Sequence, residues 1–312
     1  MTNKKIYLYN DGIGAVEYIQ HVGDDRTIVN SARVSFGKEV EHIDEKDKKL
    51  IKYLIKHKHT STLEHCFVTF RFTVPLFVRS QHHRHRTWSY NEISRRYTEV
   101  DLNFYEPLEF RTQHKSNRQA SNVDDANDPI IESLYTDDDI THMFASEAVK
   151  EHHLESLELF NKLLEAGVCR EQARGVLPQN LYTQYYGSCN LSNLLKFIDL
   201  RLHEGAQWEI QQMAQACLEI VTDLFPITVS TYRELRGQGH DESTEPRLGD
   251  RLPALYAAQH LEPRDQLQED EARASEGHDH RGPDSLELCL LFVSVPDASR
   301  EIFPPRTPSE CS

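Results

Sequence analysis

Residues 66–74 alternate between two sets of side chains, and this period of two limits the fold more than any other feature of the chain. In an extended strand successive side chains point to opposite faces, so every second residue shares a face. One face carries Cys66, Val68, Phe70, Phe72 and Val74, and the other carries Phe67, Thr69, Arg71 and Thr73. We therefore predict a β-strand here.

Pro75 follows this strand directly and suits the first position of a helix, where its missing N–H and fixed φ do no harm. The predicted helix begins with three apolar residues and runs toward Arg84. On it Gln81, Arg84 and His85 are three and four residues apart, so we expect their side chains to share a face.

Other elements are predicted from apolar spacing and from residues that cap or break helices. Strands are expected at 6–9, 15–22 and 181–187, the first two joined as a hairpin. Helices are expected at 44–57, begun by Asp44, and at 146–166, 170–176, 194–202 and 206–224, the last ending before Pro226. Residues 25–35 favour a helix or turn, and 57–65 a loop. Together these elements indicate an α+β fold, a sheet flanked by helices.

Two segments differ in composition from the rest. Residues 112–141 are polar and acidic, and we predict a surface insertion there. Residues 237–312 contain 7 Arg and no Lys against 16 acids, and this composition predicts an acidic, disordered tail. Residues 1–236 are left as one domain.

The formal charge of −15 disfavours general binding to nucleic acid or to anionic membranes. No run of about 18 apolar residues is present, and the first residues lead into a strand without a signal-peptide core, so the predicted location is the cytoplasm. Six cysteines without a Cys-x-x-Cys pair argue against a disulfide scaffold or structural zinc. Residues 57–65 hold three histidines and a glutamate, but their spacing matches no common zinc motif, so we predict no metal.

The segment 79–97 is positively charged within a negatively charged protein, with five arginines, three histidines and a single acid, Glu92. Arginine offers planar, permanently charged forks that suit phosphate. Ser89, Asn91, Ser94 and Tyr97 add neutral hydrogen-bonding groups. The segment therefore predicts a local site for a phosphorylated heterocyclic ligand.

Within this segment, residues 84–97 match R-H-R-x-x-S-x-N-E-x-S-x-R-Y at all nine specified positions. This pattern is typical of the flavin-dependent thymidylate synthases, which the chain resembles over roughly residues 4–236. The resemblance implies a central, mostly antiparallel sheet flanked by helices, and a homotetramer with shared active sites. It also implies methylation of dUMP to dTMP with 5,10-methylenetetrahydrofolate as carbon donor, FADH2 as hydride donor and NADPH as its reductant, without a cysteine nucleophile.

Site residues follow from the resemblance, position by position. Arg201 is implied as the catalytic residue, which promotes ionisation of the uracil. The implied dUMP-binding residues are Gln81, His82, His83, Arg84, Glu92, Ile93, Ser94, Arg95, Arg96, Arg174 and Arg201. The implied FAD-binding residues are Ser35, His59, Ser61, Arg84, His85, Arg86, Glu92, Asn190 and Lys196. Ser192 stands where the family often has arginine, and this departure concerns the adenine side of FAD.

Two alternatives remain open at this point. One is a non-catalytic nucleotide or single-stranded nucleic-acid binder that uses Trp88 and Tyr90 as stacking groups. The other is a flavoprotein that oxidises NADPH or acts on a different uracil substrate. A flavin absorbance spectrum separates the first from the enzyme, and product analysis separates the second.

Overall fold

A computed structural model describes residues 4–98, 102–118, 120–132 and 142–237. Its centre is a five-stranded sheet in the order β1-β2-β3-β9-β4. The strands are β1 (Lys5–Tyr7), β2 (Ala15–Val22), β3 (Phe67–Pro75), β4 (Ser89–Glu92) and β9 (Tyr182–Asn190). Every neighbouring pair is antiparallel. The mixed fold with a central antiparallel sheet is thus confirmed.

The alternation predicted for residues 66–74 appears as a buried and an open face of β3. Phe70 and Phe72 are fully buried, and on β9 Tyr185 lies beside them. The opposite face is exposed at Phe67 and Tyr186. Only one face of the sheet therefore carries the hydrophobic core.

Helices pack on that buried face and around the sheet. They are α1 (Asp25–Arg33), α2 (Glu45–Lys56), α3 (Leu76–His82), α4 (Ala145–Glu165), α5 (Arg170–Ala173), α6 (Leu191–Arg201), α7 (Trp208–Leu224) and α8 (Pro226–Gly237). Helices α6 and α7 pack against each other, and α7 also contacts β2. None of the helices in the described ranges is long and apolar enough to cross a membrane.

Capping explains where several helices begin. The Asp44 side chain accepts from the backbone N–H groups of Lys46 and Asp47, as predicted for the start of α2. The Asn190 side chain accepts from the N–H of Asn193, so α6 begins at Leu191, three residues before the predicted position. Asn190 therefore ends β9 and caps α6.

Three predicted boundaries around the cationic segment are wrong. Pro75 is the last residue of β3 and precedes α3, and α3 ends at His82 before it reaches Arg84. Residues 89–92 form the edge strand β4, which follows the turn that ends α3. The predicted loop at 57–65 contains a 3-10 helix, Thr60–His65.

Elements that the sequence did not predict lie in two further places. Within the predicted insertion, β5 (Phe110–Gln113) pairs with β6 (Ser121–Asn127), and β7 (Ile130–Glu132) pairs with β8 (His142–Phe144). Helix α8 begins at Pro226 because buried Asp25 accepts from the N–H groups of Ile227 and Thr228, both at 2.9 Å. The predicted tail from residue 238 onward, like residues 133–141, lies outside the described residues.

Candidate active site

The turn after α3 places the cationic residues of the motif at the surface. His82 and Trp88 are buried on either side of this turn, and backbone bonds from Arg84 to Gln81 and from His85 to His82 close it. Arg84 and Arg86 are exposed as a result. Burial of the two aromatic residues, rather than a continuous helix face, therefore presents these arginines.

His82 is a core residue in this structure. Its side chain is fully buried, its Nδ1 lies 2.8 Å from the Tyr185 hydroxyl, and its ring packs edge-on to Trp88. Burial, followed by the charge of His85, lowers the pKa of His82 well below the usual value. Its role in dUMP binding stays a prediction, and within this chain the His82 side chain reaches no surface.

His83 is less enclosed than His82. Its ring lies 4.2 Å from that of Tyr90, centroid to centroid, and burial and then Arg79 lower its pKa. The ring is partly exposed, so it remains a candidate for ligand contact.

Arg201 ends α6 beside this turn and is held by two acceptors. Its Nε donates to His85 Nε2 at 3.0 Å, and its Nη2 donates to the Gln81 carbonyl at 3.1 Å. Burial and then Arg201 lower the pKa of His85 to about 4, so His85 accepts as a neutral ring. Arg201, Arg84 and Arg86 form no ion pair with a carboxylate among the residues that the structure describes. The cluster therefore carries positive charge that an anion could neutralise.

Glu92 on β4 is engaged inside the chain. Arg79 forms a bidentate ion pair with it, with Nε at 3.0 Å from Oε1 and Nη2 at 2.8 Å from Oε2. The Thr183 hydroxyl donates to the same carboxylate at 2.7 Å. The sequence offered no sign that Arg79 would take this acid. Glu92 is therefore placed to anchor β4 next to the cationic cluster.

The residues after β4 run across the end of the sheet. Ile93 is tied through its N–H to the Gln184 carbonyl at 2.9 Å, and Arg95 Nη2 donates to the Tyr182 carbonyl at 3.2 Å. Ser94 accepts through its carbonyl from the N–H of Tyr97 at 3.0 Å. Arg96 and Tyr97 are exposed, with the guanidinium 5.3 Å from the ring centroid. The predicted phosphate-binding residues Ser94 and Arg96 thus share one turn.

Arg174 lies apart from this turn, in the 3-10 helix Arg174–Val176 that follows α5. Its side chain is exposed, and in the described part of the chain it makes no ion pair with an acid. The structure does not bring Arg174 into contact with Arg201.

The residues predicted to bind FAD fall in two places. Ser35, His59 and Ser61 are exposed where the 3-10 helix Thr60–His65 packs against α1 and α6, near the start of α6 that Asn190 caps, and Lys196 is exposed at the middle of α6. The other group lies at residues 84–86, beyond the opposite end of α6. The eleven residues of α6 span about 16 Å at the usual helical rise. One chain alone therefore places Ser35, His59 and Ser61 near one end of this helix and residues 84–86 beyond the other.

Comparison with known proteins places this chain, with its antiparallel sheet and cationic turn, in a family. The family described as thymidylate synthase complementing protein matches residues 17–227. A flavin-dependent thymidylate synthase from Thermus thermophilus is 42% identical over 221 residues, which cover 71% of this chain and 76% of the relative. The chain belongs to the flavin-dependent thymidylate synthase family. Another family member, from Thermosipho melanesiensis, is 38% identical over 226 residues, 72% of this chain and 93% of the relative.

Solved structures agree with the family assignment. The UMP/dUMP methylase PolB from Streptomyces cacaoi, bound with 5-Br dUMP, gives a TM-score of 0.60 at 29% identity, over 73% of this chain and 97% of that one. The same methylase bound with 5-Br UMP gives a TM-score of 0.59 at 28% identity, over 73% of this chain and 96% of that one.

Three buried cysteines of this flavin-dependent thymidylate synthase family member are poorly suited to nucleophilic attack. Cys66, Cys189 and Cys217 are buried. Burial raises the pKa of Cys66 to about 12 and raises the pKa of Cys189 and of Cys217 above the usual value of a thiol. A reactive cysteine needs a lowered pKa and access to its substrate, so none of these three meets the requirement.

The stacking pair proposed for a single-strand binder is also wrong. Trp88 is only 6% exposed and lies among Phe70, Phe72 and Phe197. The Tyr90 hydroxyl donates to the carbonyls of His82 and His85, at 2.9 and 3.0 Å. Trp88 therefore supports the turn from within the core, and the Tyr90 hydroxyl is bound to the backbone of the same turn.

A chain of polar side chains at the start of α7 was missed by the sequence analysis. Glu209 is buried and receives hydrogen bonds from Arg111, Tyr105 and Gln207, and Gln207 in turn contacts Gln81. The local signal in the sequence was Gln-Trp-Glu at 207–209, which contains two members of this series of polar side chains. Nothing in the sequence indicated that Arg111, 98 residues away, would be its partner.

Proposed function

We propose that this chain converts dUMP to dTMP, with 5,10-methylenetetrahydrofolate as the carbon donor. The overall change joins the methylene carbon to C5 of uracil, breaks its bonds to the folate nitrogens so that tetrahydrofolate leaves, releases the C5 hydrogen as a proton, and reduces the methylene group to methyl with one hydride. The observation that carries the proposal is the position of Arg201, which is held by neutral His85 and the Gln81 carbonyl beside Arg84 and Arg86, and these three arginines form no ion pair with a carboxylate of the described residues.

This arrangement suits a uracil ring that becomes negatively charged during the reaction. Uracil must become electron-rich at C5 before it attacks the methylene carbon, and loss of its N3 proton places negative charge on the ring. The Arg201 guanidinium is already held in place, so it can stabilise that charge without having to reorient as the charge develops. Since His85 accepts from Nε as a neutral ring, it does not compete with Arg201 for the anion.

We assign the phosphate of dUMP to Ser94 and Arg96. Ser94 and Arg96 share the turn after β4, and their groups suit a phosphate dianion. Arg174 remains a proposed second phosphate ligand on the strength of the family resemblance. Glu92 is already paired with Arg79. It would therefore hold β4 in position as well as make any direct contact with the ligand.

The described residues fit a flavin dinucleotide in donor chemistry. The exposed hydroxyl, imidazole and ammonium groups of Ser61, His59 and Lys196 could hold one part of FAD, and Arg84 and Arg86 are exposed cations suited to another. When bound, reduced FAD supplies the hydride that completes the methyl group, and NADPH is the proposed source of that hydride.

We also propose that the active sites are shared within a homotetramer. The support is that Ser35, His59 and Ser61 lie near the start of α6 while residues 84–86 lie beyond its end, so a second copy could bring one group next to the other. A tetramer of 36.2 kDa chains would have a mass of about 145 kDa by light scattering. Mixing Arg201→Ala with Ser61→Trp chains should restore activity, since some mixed sites would be intact. A monomeric, fully active enzyme would contradict sharing.

The function is tested by a dTMP assay with dUMP, methylenetetrahydrofolate, FAD and NADPH, comparing wild type, Arg201→Ala and Arg26→Ala. Arg26 is a matched control because it is exposed and lies outside the site. We expect dTMP only when FAD is present, at least about a hundredfold slower turnover in Arg201→Ala, and an unchanged rate in Arg26→Ala. NADPH oxidation without dTMP would refute the proposed substrate.

A further inference from the structure

Glu209 lies in the first turn of α7 as a buried carboxylate whose acceptor positions are filled by donors. Arg111 Nη2 lies 2.8 and 3.0 Å from its two oxygens, the Tyr105 hydroxyl donates at 3.1 Å, and Gln207 Nε2 donates at 2.9 Å. A buried charge is stable only when it is paired and hydrogen-bonded in this way. The carboxylate is therefore fixed in place.

The charge on Glu209 sets the direction of two side-chain amides. A carboxylate can only accept, so Gln207 must turn its NH2 group toward Glu209 and its oxygen toward Gln81. That oxygen also can only accept, so Gln81 must donate to it through Nε2. The orientation of the Gln81 amide thus follows from donor and acceptor rules alone.

Gln81 also connects this chain of hydrogen bonds to Arg201. The Gln81 side chain is the last member of the series of hydrogen bonds that begins at Glu209. Its main-chain carbonyl accepts from Arg201 Nη2 at 3.1 Å. Arg111 belongs to β5, so the β5–β6 hairpin is tied to the same site.

We propose that Glu209, held by Arg111, is a positioning residue for the pyrimidine nucleotide, acting through Gln207 on the amide of Gln81. This inference rests on the proposed function, because the nucleotide is the ligand that Gln81 would meet. Loss of the polar connection would let the Gln81 amide rotate between two orientations, and only one of them would bind the nucleotide well.

Two variants separate positioning from stability. Gln207→Leu and Tyr105→Phe each remove one hydrogen bond to the same carboxylate, but only Gln207 lies between Glu209 and Gln81. We expect Gln207→Leu to raise the KM for dUMP about tenfold, the scale of coupling between hydrogen-bonded neighbours. Tyr105→Phe should leave this KM within about twofold, with any loss confined to thermal stability. Loss of folded enzyme alone lowers kcat and leaves KM unchanged, so equal KM values in Gln207→Leu and wild type would overturn the proposal.

The charge itself is tested by Glu209→Gln in wild-type and Gln81→Ala backgrounds. We expect the substitution to raise the KM for dUMP about tenfold in the first background and less than about twofold in the second, because the Gln81 amide is then absent. An equal increase in both backgrounds would overturn transmission through Gln81.

Titration calorimetry with dUMP on the same variants measures the connection without the reaction. If wild type forms dTMP and Gln207→Leu binds dUMP as tightly as wild type, the positioning role fails while the proposed function stands. If wild type forms no dTMP but the variants still differ in dUMP affinity, the proposed function fails and the positioning role stands.

Discussion

Replacing His85 with glutamine should remove part of the acid sensitivity of the folded chain. Burial and then Arg201 lower the pKa of His85 to about 4, whereas a histidine in the unfolded chain titrates near 6.5. As the pH falls below about 6.5, His85 binds a proton in the unfolded state, whereas in the folded state it binds this proton only near pH 4. The free energy of unfolding therefore decreases across this window and is independent of His85 outside it.

The size of the effect follows from the two pKa values. Their separation corresponds to at most about 3 kcal/mol, and screening by water at the partly exposed ring reduces the expected value to about 1–2 kcal/mol. Glutamine has no such titration, yet its amide oxygen can still accept from Arg201 Nε. At neutral pH the variant should therefore be nearly as stable as wild type.

Urea unfolding at pH 7.5 and pH 4.5 measures this difference. Wild type should lose about 1–2 kcal/mol more than His85→Gln between the two conditions. His152→Gln, at an exposed position on α4, serves as the matched control and should behave as wild type does. The reasoning is refuted if wild type and His85→Gln lose the same free energy of unfolding.

Three further predictions concern other parts of the chain. Asp25→Ala should lower the free energy of unfolding by about 2–4 kcal/mol in urea, because one buried and one partly buried N–H group of α8 lose their acceptor, whereas the exposed Asp223→Ala should cost under about 1 kcal/mol. Cys189→Ala should retain kcat for dTMP formation within about twofold, since the buried thiol is no nucleophile; loss of turnover in folded protein would contradict this. Glu92→Gln should lower kcat/KM for dUMP about tenfold or more, since Arg79 loses a charged partner beside the site; an unchanged value would show that the pair serves stability alone.

The parts of the fold that were predicted correctly depend on local sequence. Period-two alternation identified β3, and Asp44 identified the start of α2. The unpredicted parts depend on distant residues. Helix α8 begins at an acceptor supplied by Asp25, 202 residues before Ile227. Strand β4 is short and polar, and it forms because its backbone pairs with β9.

The site divides in the same way. The motif identified the segment 84–97, but it could not show that Trp88 faces the core while Arg84 and Arg86 face solvent. That division depends on which positions the sheet and α6 cover. Likewise, the pairing of Arg79 with Glu92 requires β4 to lie beside α3, a neighbourhood created only by the sheet. Residue type indicated the chemistry, and packing decided which residues remain accessible.

The course of α6 limits where this chain can change in length. Asn190 caps its first turn and Arg201 ends its last, so one added residue would turn the arginine by about 100° and carry it away from His85. No loop lies between these positions to absorb such a change. The described residues of the turn that joins β5 and β6, 114–118 and 120, include none of the predicted site residues. Peptide tags or affinity handles would therefore be tolerated there, whereas even a single-codon insertion within α6 would disconnect one end of the site from the other.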